Sequence, residues 1–339
     1  MICVSPAGPG SVDVIVATYN RHDGLLRTIR SLLRQSVDGF GIVIVDDCSE
    51  PPVQQALPAD LQLNPRIRVL RTGVNSGPAV ARNLGVFSSK AQLVAFIDDD
   101  VVAGETWLEA LLRRYAAGSP QSVVIGPLLA PADWRPTPWN RWEAATLEHE
   151  YRRMAAGEYA PTWRQFFTGN ALVRKADFVT AGGFDPEFRR AEDIELGIRL
   201  AKLGCVFAME PLAEGWHYAR RTSASWLSNA EQYARFDVLI SERYPELEWR
   251  TRLEEELSRR SPVSRFARML VPSAATPYAI AAAVRMAAIA NRAPTKLLAV
   301  RAASFAYDLT YRKALTRYAR ASDRTRRELP GRRTGLFVD

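Results

Sequence analysis

In the first hundred residues, apolar positions come in short unbroken runs separated by stretches of helical period. VDVIVATY (12–19), GIVIVDD (41–47), IRVL (67–70) and QLVAFIDDD (92–100) each read as a strand, the first β-branched and ending in polar residues, the second and fourth closed by carboxylates. Between the first two, Leu25, Ile29, Leu32 and Leu33 share one face of a helix, with Asp23 placed to cap it. Pro78 suits the first turn of a second helix over 78–88. Apolar runs alternating with helices predict a parallel sheet covered on both faces. Ligands of such sheets bind beyond the carboxyl ends of the strands. There the sequence gathers Thr18, Tyr19 and Asn20, then Asp46 and Asp47, then Asp98, Asp99 and Asp100.

The pattern then changes. Residues 127–165 hold four prolines by position 138 and four of the eight tryptophans, and read as a surface excursion with some helix. Regular structure resumes with FFTGNALVRK (166–175), GGFDPEF (182–188), a helix over 192–204 and a strand over 205–210. After His217 the period is helical, punctuated by Pro245, Pro262, Pro272, Pro277 and Pro294. The stretch ASDRTRRELPGRRTG near the end reads as disordered. The expected organisation is an α/β domain over 1–218 and a mainly helical region over 219–339.

Charge reinforces that division. From residue 259 onward there are seventeen Lys and Arg against four Asp and Glu, whereas the preceding residues hold 28 against 33. An acidic body thus precedes a basic appendage suited to a membrane surface, nucleic acid or an acidic partner. The start, MICVSPAGPGSVD, lacks a basic segment followed by an apolar run, so no secretory signal is expected. Cys3, Cys48 and Cys205 are sparse and far apart, which suits a reducing compartment and predicts a cytoplasmic protein. No segment reaches about eighteen unbroken apolar residues, and YAIAAAVRMAAIA (278–290) is interrupted by Arg285.

Three consecutive aspartates at a strand end repel one another unless a cation neutralises them. A hard divalent ion does so while keeping waters and binding substrate phosphates; an acid-rich solvated turn is the alternative for FIDDD alone.

With the other segments, the choice narrows. VIVATYNR (14–21), IVIVDDCS (42–49), NSGPAVARNLG (75–85), VAFIDDDV (94–101), FTGNALVRK (167–175), GGFDPEF (182–188) and AEDIELGIRLAKLG (191–204), in this order, resemble family 2 glycosyltransferases of the GT-A fold. The resemblance spans residues 12–218. It implies a mostly parallel mixed sheet flanked by helices and an inverting, non-processive enzyme using a nucleotide-sugar donor. The donor expected is a UDP-sugar, and the setting bacterial polysaccharide, glycolipid or glycoconjugate synthesis.

Residue by residue, the resemblance implies that Ala17, Tyr19 and Asp47 hold the donor's base. Arg82 and Asn83 would lie near its pyrophosphate or ribose, with Asp98 and Asp99 on the nucleotide. Asp100 would bind Mn²⁺ or Mg²⁺, with His217 completing the metal site. The cation would offset charge developing on the nucleoside diphosphate. Gly169 and Asn170 would lie beneath the donor sugar. Asp193 would be the general base toward the acceptor hydroxyl, Glu192 would orient hydroxyls, and Glu195 would face away as helix support.

One departure concerns QYARF: Gln232 and Arg235 follow Asp193 at about the distance of the processive synthases' Q-x-x-R-W motif, but Phe236 replaces its Trp. They are expected on a helix at the acceptor mouth. The tail reads either as a basic amphipathic surface for anionic lipid, serving a carbohydrate or lipid-linked acceptor at the inner membrane face, or as a helical subdomain packed on the body or a dimer partner. A sugar nucleotidyltransferase would need a Gly-rich basic loop after the first strand, which ATYNRHDG is not. A degenerate scaffold fits poorly with intact Asp47, Asp100 and Asp193. Nucleic-acid binding has only the basic tail in its favour, and none is expected.

Overall fold

A computed structural model describes residues 12–249, 251–253, 275–292 and 296–328. The described residues fall into two compact units. One takes residues up to Trp134 together with Ala144–Ala219; the other takes Arg135–Glu143 with the residues from Arg220 onward.

The first unit is built on a seven-stranded sheet ordered β3-β2-β1-β4-β8-β6-β9. Its strands are β1 (Val12–Thr18), β2 (Gly41–Asp46), β3 (Ile67–Arg71), β4 (Leu93–Ile97), β6 (Ser122–Ile125), β8 (Asn170–Arg174) and β9 (Val206–Met209). β1, β2, β3 and β4 run parallel, and β8 enters antiparallel between β4 and β6. Every residue of β4 is buried, and only Gly41 of β2 is not, as expected for strands covered on both faces. Helices α1 (His22–Leu32) and α4 (Pro78–Ser88) follow β1 and β3 as the pattern predicts; the short α2 (Val53–Ala56) and α3 (Ala59–Gln62) lie between β2 and β3. Asp23, expected to cap α1, lies instead in its first turn and makes no cap hydrogen bond. Helices α5 (Trp107–Ala116), α7 (Lys175–Thr180) and α8 (Glu192–Lys202) complete the covering.

A second sheet holds three short strands. β5 (Val101–Ala103) leaves the three aspartates and pairs antiparallel with β10 (Gly215–His217), which also pairs with β7 (Leu128–Leu129). The residues read as a surface excursion form an 18-residue helix, α6 (Pro138–Ala155). Its Tyr151 and Met154 are buried with the core of the sheet, so this stretch is not purely superficial.

The second unit is helical: α9 (Ser223–Arg243), α10 (Thr276–Ala290) and α11 (Leu297–Glu328). Its core sets Trp226 against small residues, namely Ala283 and Ala287 of α10 and Ala302, Ala303 and Ala306 of α11. Trp139, Trp142 and Tyr307 pack around Trp226 with ring centroids 4.5–6.1 Å apart. The disorder expected from Ala321 is not observed up to Glu328, where α11 continues; residues 329–339 lie outside the described residues. Of the five punctuating prolines, Pro262, Pro272 and Pro294 also lie outside them.

Candidate active site

The carboxyl ends of β1, β2 and β4 and the amino ends of β8 and α8 meet at one edge of the large sheet, and the expected acids gather there. Asp47 is buried and tied to the loop that leads into α4. Its carboxylate accepts from Thr72 Oγ1 (2.7 Å), Ser76 N (3.0 Å) and Gly77 N (2.7 Å). Three acceptances leave one of about four lone-pair positions for a base N–H. The neighbouring Asp46 accepts from Ser49 N, Val53 N and Arg71. Burial works against its ionisation, but these donors prevail and hold its pKa below the ordinary value. Tyr19, 44% exposed beyond β1, keeps its ring available for stacking, and Ala17 is half-buried in β1 beside Val45.

The three aspartates diverge. Asp98 accepts from Arg82 Nη2 (2.8 Å). Asp99 turns inward to Thr18 Oγ1 (2.7 Å) and, at 3.2 Å, Arg21; burial chiefly, with the charge of Asp100 adding, raises its pKa to about 7. It therefore braces β1 against β4, whereas contact with the nucleotide was expected. Asp100 accepts from Arg21 Nη1 (2.7 Å) and stands 3.3 Å from His217 Nε2. The register of β10 on β5 sets His217 opposite Val101, and Tyr218 N donates to the Asp100 carbonyl (2.8 Å). Thus a histidine 117 positions along the chain arrives beside the third aspartate.

Two glycines permit this crowding. A Cβ on Gly24 would come within 2.8 Å of the Asp99 carbonyl, so α1 approaches the acidic turn closely. A Cβ on Gly169 would come within 2.9 Å of Asp98 Oδ2; this glycine lies beneath an aspartate, where a donor sugar was expected. Asn170 differs more. It is buried, accepts from Trp107 Nε1 (2.7 Å) and donates to the Pro127 and Ala213 carbonyls (2.9 and 2.8 Å). Its amide ties three segments together and is not presented to a ligand. Asn83 likewise pairs with the backbone of Phe184 in both directions, each bond 2.8 Å, and fixes the GGFDPEF loop.

Arg82 joins the two halves of the site. Its side chain is 10% exposed and donates to Asp98 on one side and to Glu192 Oε1 (2.7 Å) on the other. Burial alone would lower its pKa; Asp98, Glu192 and Asp193 outweigh burial and raise it above the usual guanidinium value. Asp193, beside Glu192 in the first turn of α8, accepts from Ile194 N (2.8 Å). Burial, and then the charge of Glu192, raise its pKa to about 7 against the opposing pull of Arg82. The preceding Ala191 is held left-handed (φ 56°), a strained geometry for a residue with a Cβ that aims the pair at the strand ends. Glu195, expected to face away, is buried and pairs with Arg199.

Arg21 escaped the sequence reading. The signal available was a lone cation three residues past a strand, opposite three acids. Tyr151 on α6 was hidden by its proline-rich surroundings; it is buried, and burial raises its hydroxyl pKa, with Asp193's charge contributing. Gln232 and Arg235 lie on α9 in the helical unit, where Arg235 stacks over Phe236 (5.6 Å to the ring centroid). They do not belong to the unit that carries the strand-end acids.

Among the described residues, no three or more His, Cys, Asp or Glu converge as a ready-made metal cage. The pair that does converge, Asp100 and His217, supplies one oxygen and one nitrogen donor, with the Arg21 guanidinium already on the carboxylate. That set fits an Mg²⁺- or Mn²⁺-like ion held by few protein ligands together with waters and substrate phosphates.

Residues 13–180 match the family model of glycosyl transferase family 2. Similar proteins include the pre-mycofactocin glycosyltransferase of Mycobacterium tuberculosis, 28% identical over 71% of this chain and 50% of that protein. Another is the validoxylamine A glucosyltransferase of Streptomyces hygroscopicus subsp. jinggangensis, 30% identical over 60% and 54%. The chain therefore spans about half the length of the curated relatives it matches. Among solved structures, the mannosyltransferase PcManGT of Pyrobaculum calidifontis, in complex with GDP-Man and Mn²⁺, superposes with a TM-score of 0.63. It is 17% identical, with 92% of this chain and 88% of that one covered, which establishes a shared GT-A fold.

Proposed function

Residues 13–180 belong to family 2 of the glycosyl transferases, and from that premise we propose that the chain moves a sugar from a nucleotide-sugar donor to an acceptor hydroxyl, with inversion at the anomeric carbon. The observation that carries the reading is that Asp100 stands against His217 at the same strand ends where Arg82 ties Asp98 to Glu192, the neighbour of Asp193, whose carboxyl pKa is raised to about 7.

In this reading the donor base stacks on Tyr19 and its ring N–H meets the remaining lone pair of Asp47. Asp100 and His217 would hold a divalent ion, Mn²⁺ or Mg²⁺, which would supply positive charge toward the departing diphosphate. Asp98, oriented by Arg82 and Gly169, faces ribose or donor sugar. Asp193 takes the proton of the acceptor hydroxyl as it attacks. A base with a pKa near 7 is about half ionised at neutral pH and strong enough to accept that proton. Glu192, anchored by Arg82, raises the basicity of Asp193 and orients hydroxyls. The donor is a UDP-sugar and the acceptor a carbohydrate or lipid-linked hydroxyl of bacterial glycan synthesis. The relatives bearing glycosyltransferase names support transfer, and the Mn²⁺ complex of the structural neighbour supports the ion.

Nucleotide sugars are first screened by thermal shift with and without Mn²⁺, because a ligand of the native state raises its stability. The selected donor is then followed by NMR as it reacts with acceptor or, slowly, with water. A first-formed product of inverted configuration supports the proposal. A retained configuration, or no metal-dependent ligand among UDP-, GDP- and dTDP-sugars, refutes it.

A further inference from the structure

A surface of the helical unit points to a different partner, and the inference does not depend on the transfer reaction. Among the described residues of that unit, the five exposed large apolar side chains lie between residues 278 and 298: Tyr278 (79% exposed), Met286 (50%), Ile289 (71%), Leu297 (59%) and Leu298 (53%). In the first unit, such side chains occur singly on separate elements, which is ordinary for a protein surface. Clustering is what marks an interaction site.

Helical geometry shows how the cluster arises. Helix α10 turns Ala283, Ala287 and Ala290 inward to the aromatic core, with Ile280 and Val284 packed at its margin. At about 100° per residue, Tyr278, Ala282, Arg285, Met286 and Ile289 fall on the opposite side, and all five are exposed. Small residues therefore face the core while large apolar ones face outward, the reverse of a helix buried only by its own fold. The first turn of α11 adds Leu297 and Leu298.

The charge pattern selects the occupant. Residues 257–307 contain eight Lys and Arg and no Asp or Glu. Within the described part, Arg285, Arg292 and Arg301 are exposed beside the apolar positions. A second copy would bring the same cations against themselves. No described helix is long and apolar enough to cross a membrane. We propose that the outer face of α10, with the first turn of α11, rests on an anionic lipid surface. Tyr278, Met286, Ile289 and the two leucines would enter the headgroup boundary, and the arginines would meet phosphates.

The full chain is sedimented with vesicles of phosphatidylglycerol and phosphatidylcholine, and with phosphatidylcholine alone. The proposal expects binding to the anionic vesicles, weakened by salt as exposed charges are screened. The double variant Met286→Glu/Ile289→Glu should lower that partition at least about tenfold, because it removes two aliphatic insertions and adds two charges of the lipid's sign. Both positions are exposed, so circular dichroism and melting should match the wild type. Wild-type protein that stays in the supernatant, or a folded double variant that binds equally well, overturns the proposal. So does a wild-type dimer that the double variant converts to monomer, since a second copy would then cover the face.

Discussion

The two units differ in what fills the interiors described above. At the strand ends, acids are crowded below and around shared arginines: Arg21 serves Asp99 and Asp100, and Arg82 serves Asp98 and Glu192. In the helical unit Trp226 packs on alanines of α10 and α11, and the buried Asp237 accepts, among other interactions, from Trp249 Nε1 (3.0 Å) and Tyr311 OH (2.6 Å). Shared ion pairs couple several acids, so one substitution should disturb ionisation and ligand binding at several positions. Alanine-lined helix packing is local, so a substitution there should change stability alone.

The largest effect is expected at Asp193. Asp193→Asn should lower turnover by about 10²–10⁴-fold, the usual contribution of general-base catalysis. Donor affinity, measured by calorimetry, should change by less than about tenfold, because the lost interaction lies on the acceptor side. A variant that keeps more than about a tenth of wild-type turnover removes Asp193 from that role.

Arg82→Met should destabilise the fold by about 3–5 kcal/mol in urea titrations, because Asp98 and Glu192 are left without their buried partner. A loss below about 1 kcal/mol would show that the two acids do not depend on it. In the helical unit, Ala303→Leu should cost about 1–3 kcal/mol through overpacking against Trp226. Nucleotide affinity should remain as in the wild type; a parallel loss of binding would mean that the units are not independent in this respect.

Subtler is the pH profile. With the Asp193 pKa raised to about 7, log(kcat/KM) should climb with pH up to about 7 and level above it, as the base loses its proton. The Glu192 charge raises this pKa and Arg82 lowers it. Glu192→Gln should therefore move the rise to lower pH and Arg82→Met to higher pH; shifts in the same direction would contradict the arrangement. Stability carries the opposite sign. A carboxyl whose folded pKa exceeds the ordinary value near 4 binds more protons when folded, so its contribution to stability declines as pH rises from about 4 to 7.

Much of this was legible in the sequence, for reasons that differ by element. β1, β2 and β4 announce themselves because strands covered on both faces must be apolar throughout, and the acids closing β2 and β4 mark the ligand edge. The antiparallel entry of β8 and the small β5-β10-β7 sheet rest on pairings far apart in the chain, so the meeting of Asp100 with His217 could be expected from resemblance but not from local pattern. Asn83, Asp99 and Asn170 show a different limit. Residue type marked them as polar and near the site, yet their partners are backbone groups, Thr18 and Trp107, which sequence does not reveal. Arg82 shows the same limit: a basic residue near phosphates and a buried tie between carboxylates look identical in one dimension.

The most direct test is calorimetry of UDP binding with and without Mn²⁺, on the wild type and on Asp100→Asn. Asp100 is the carboxylate between His217 and Arg21, and the proposal makes it the residue through which the ion and the diphosphate are linked. The expected result is affinity that requires Mn²⁺ in the wild type and loses that requirement, with most of its strength, in a variant that remains folded. Equal, metal-dependent affinity in both proteins would contradict the proposed site.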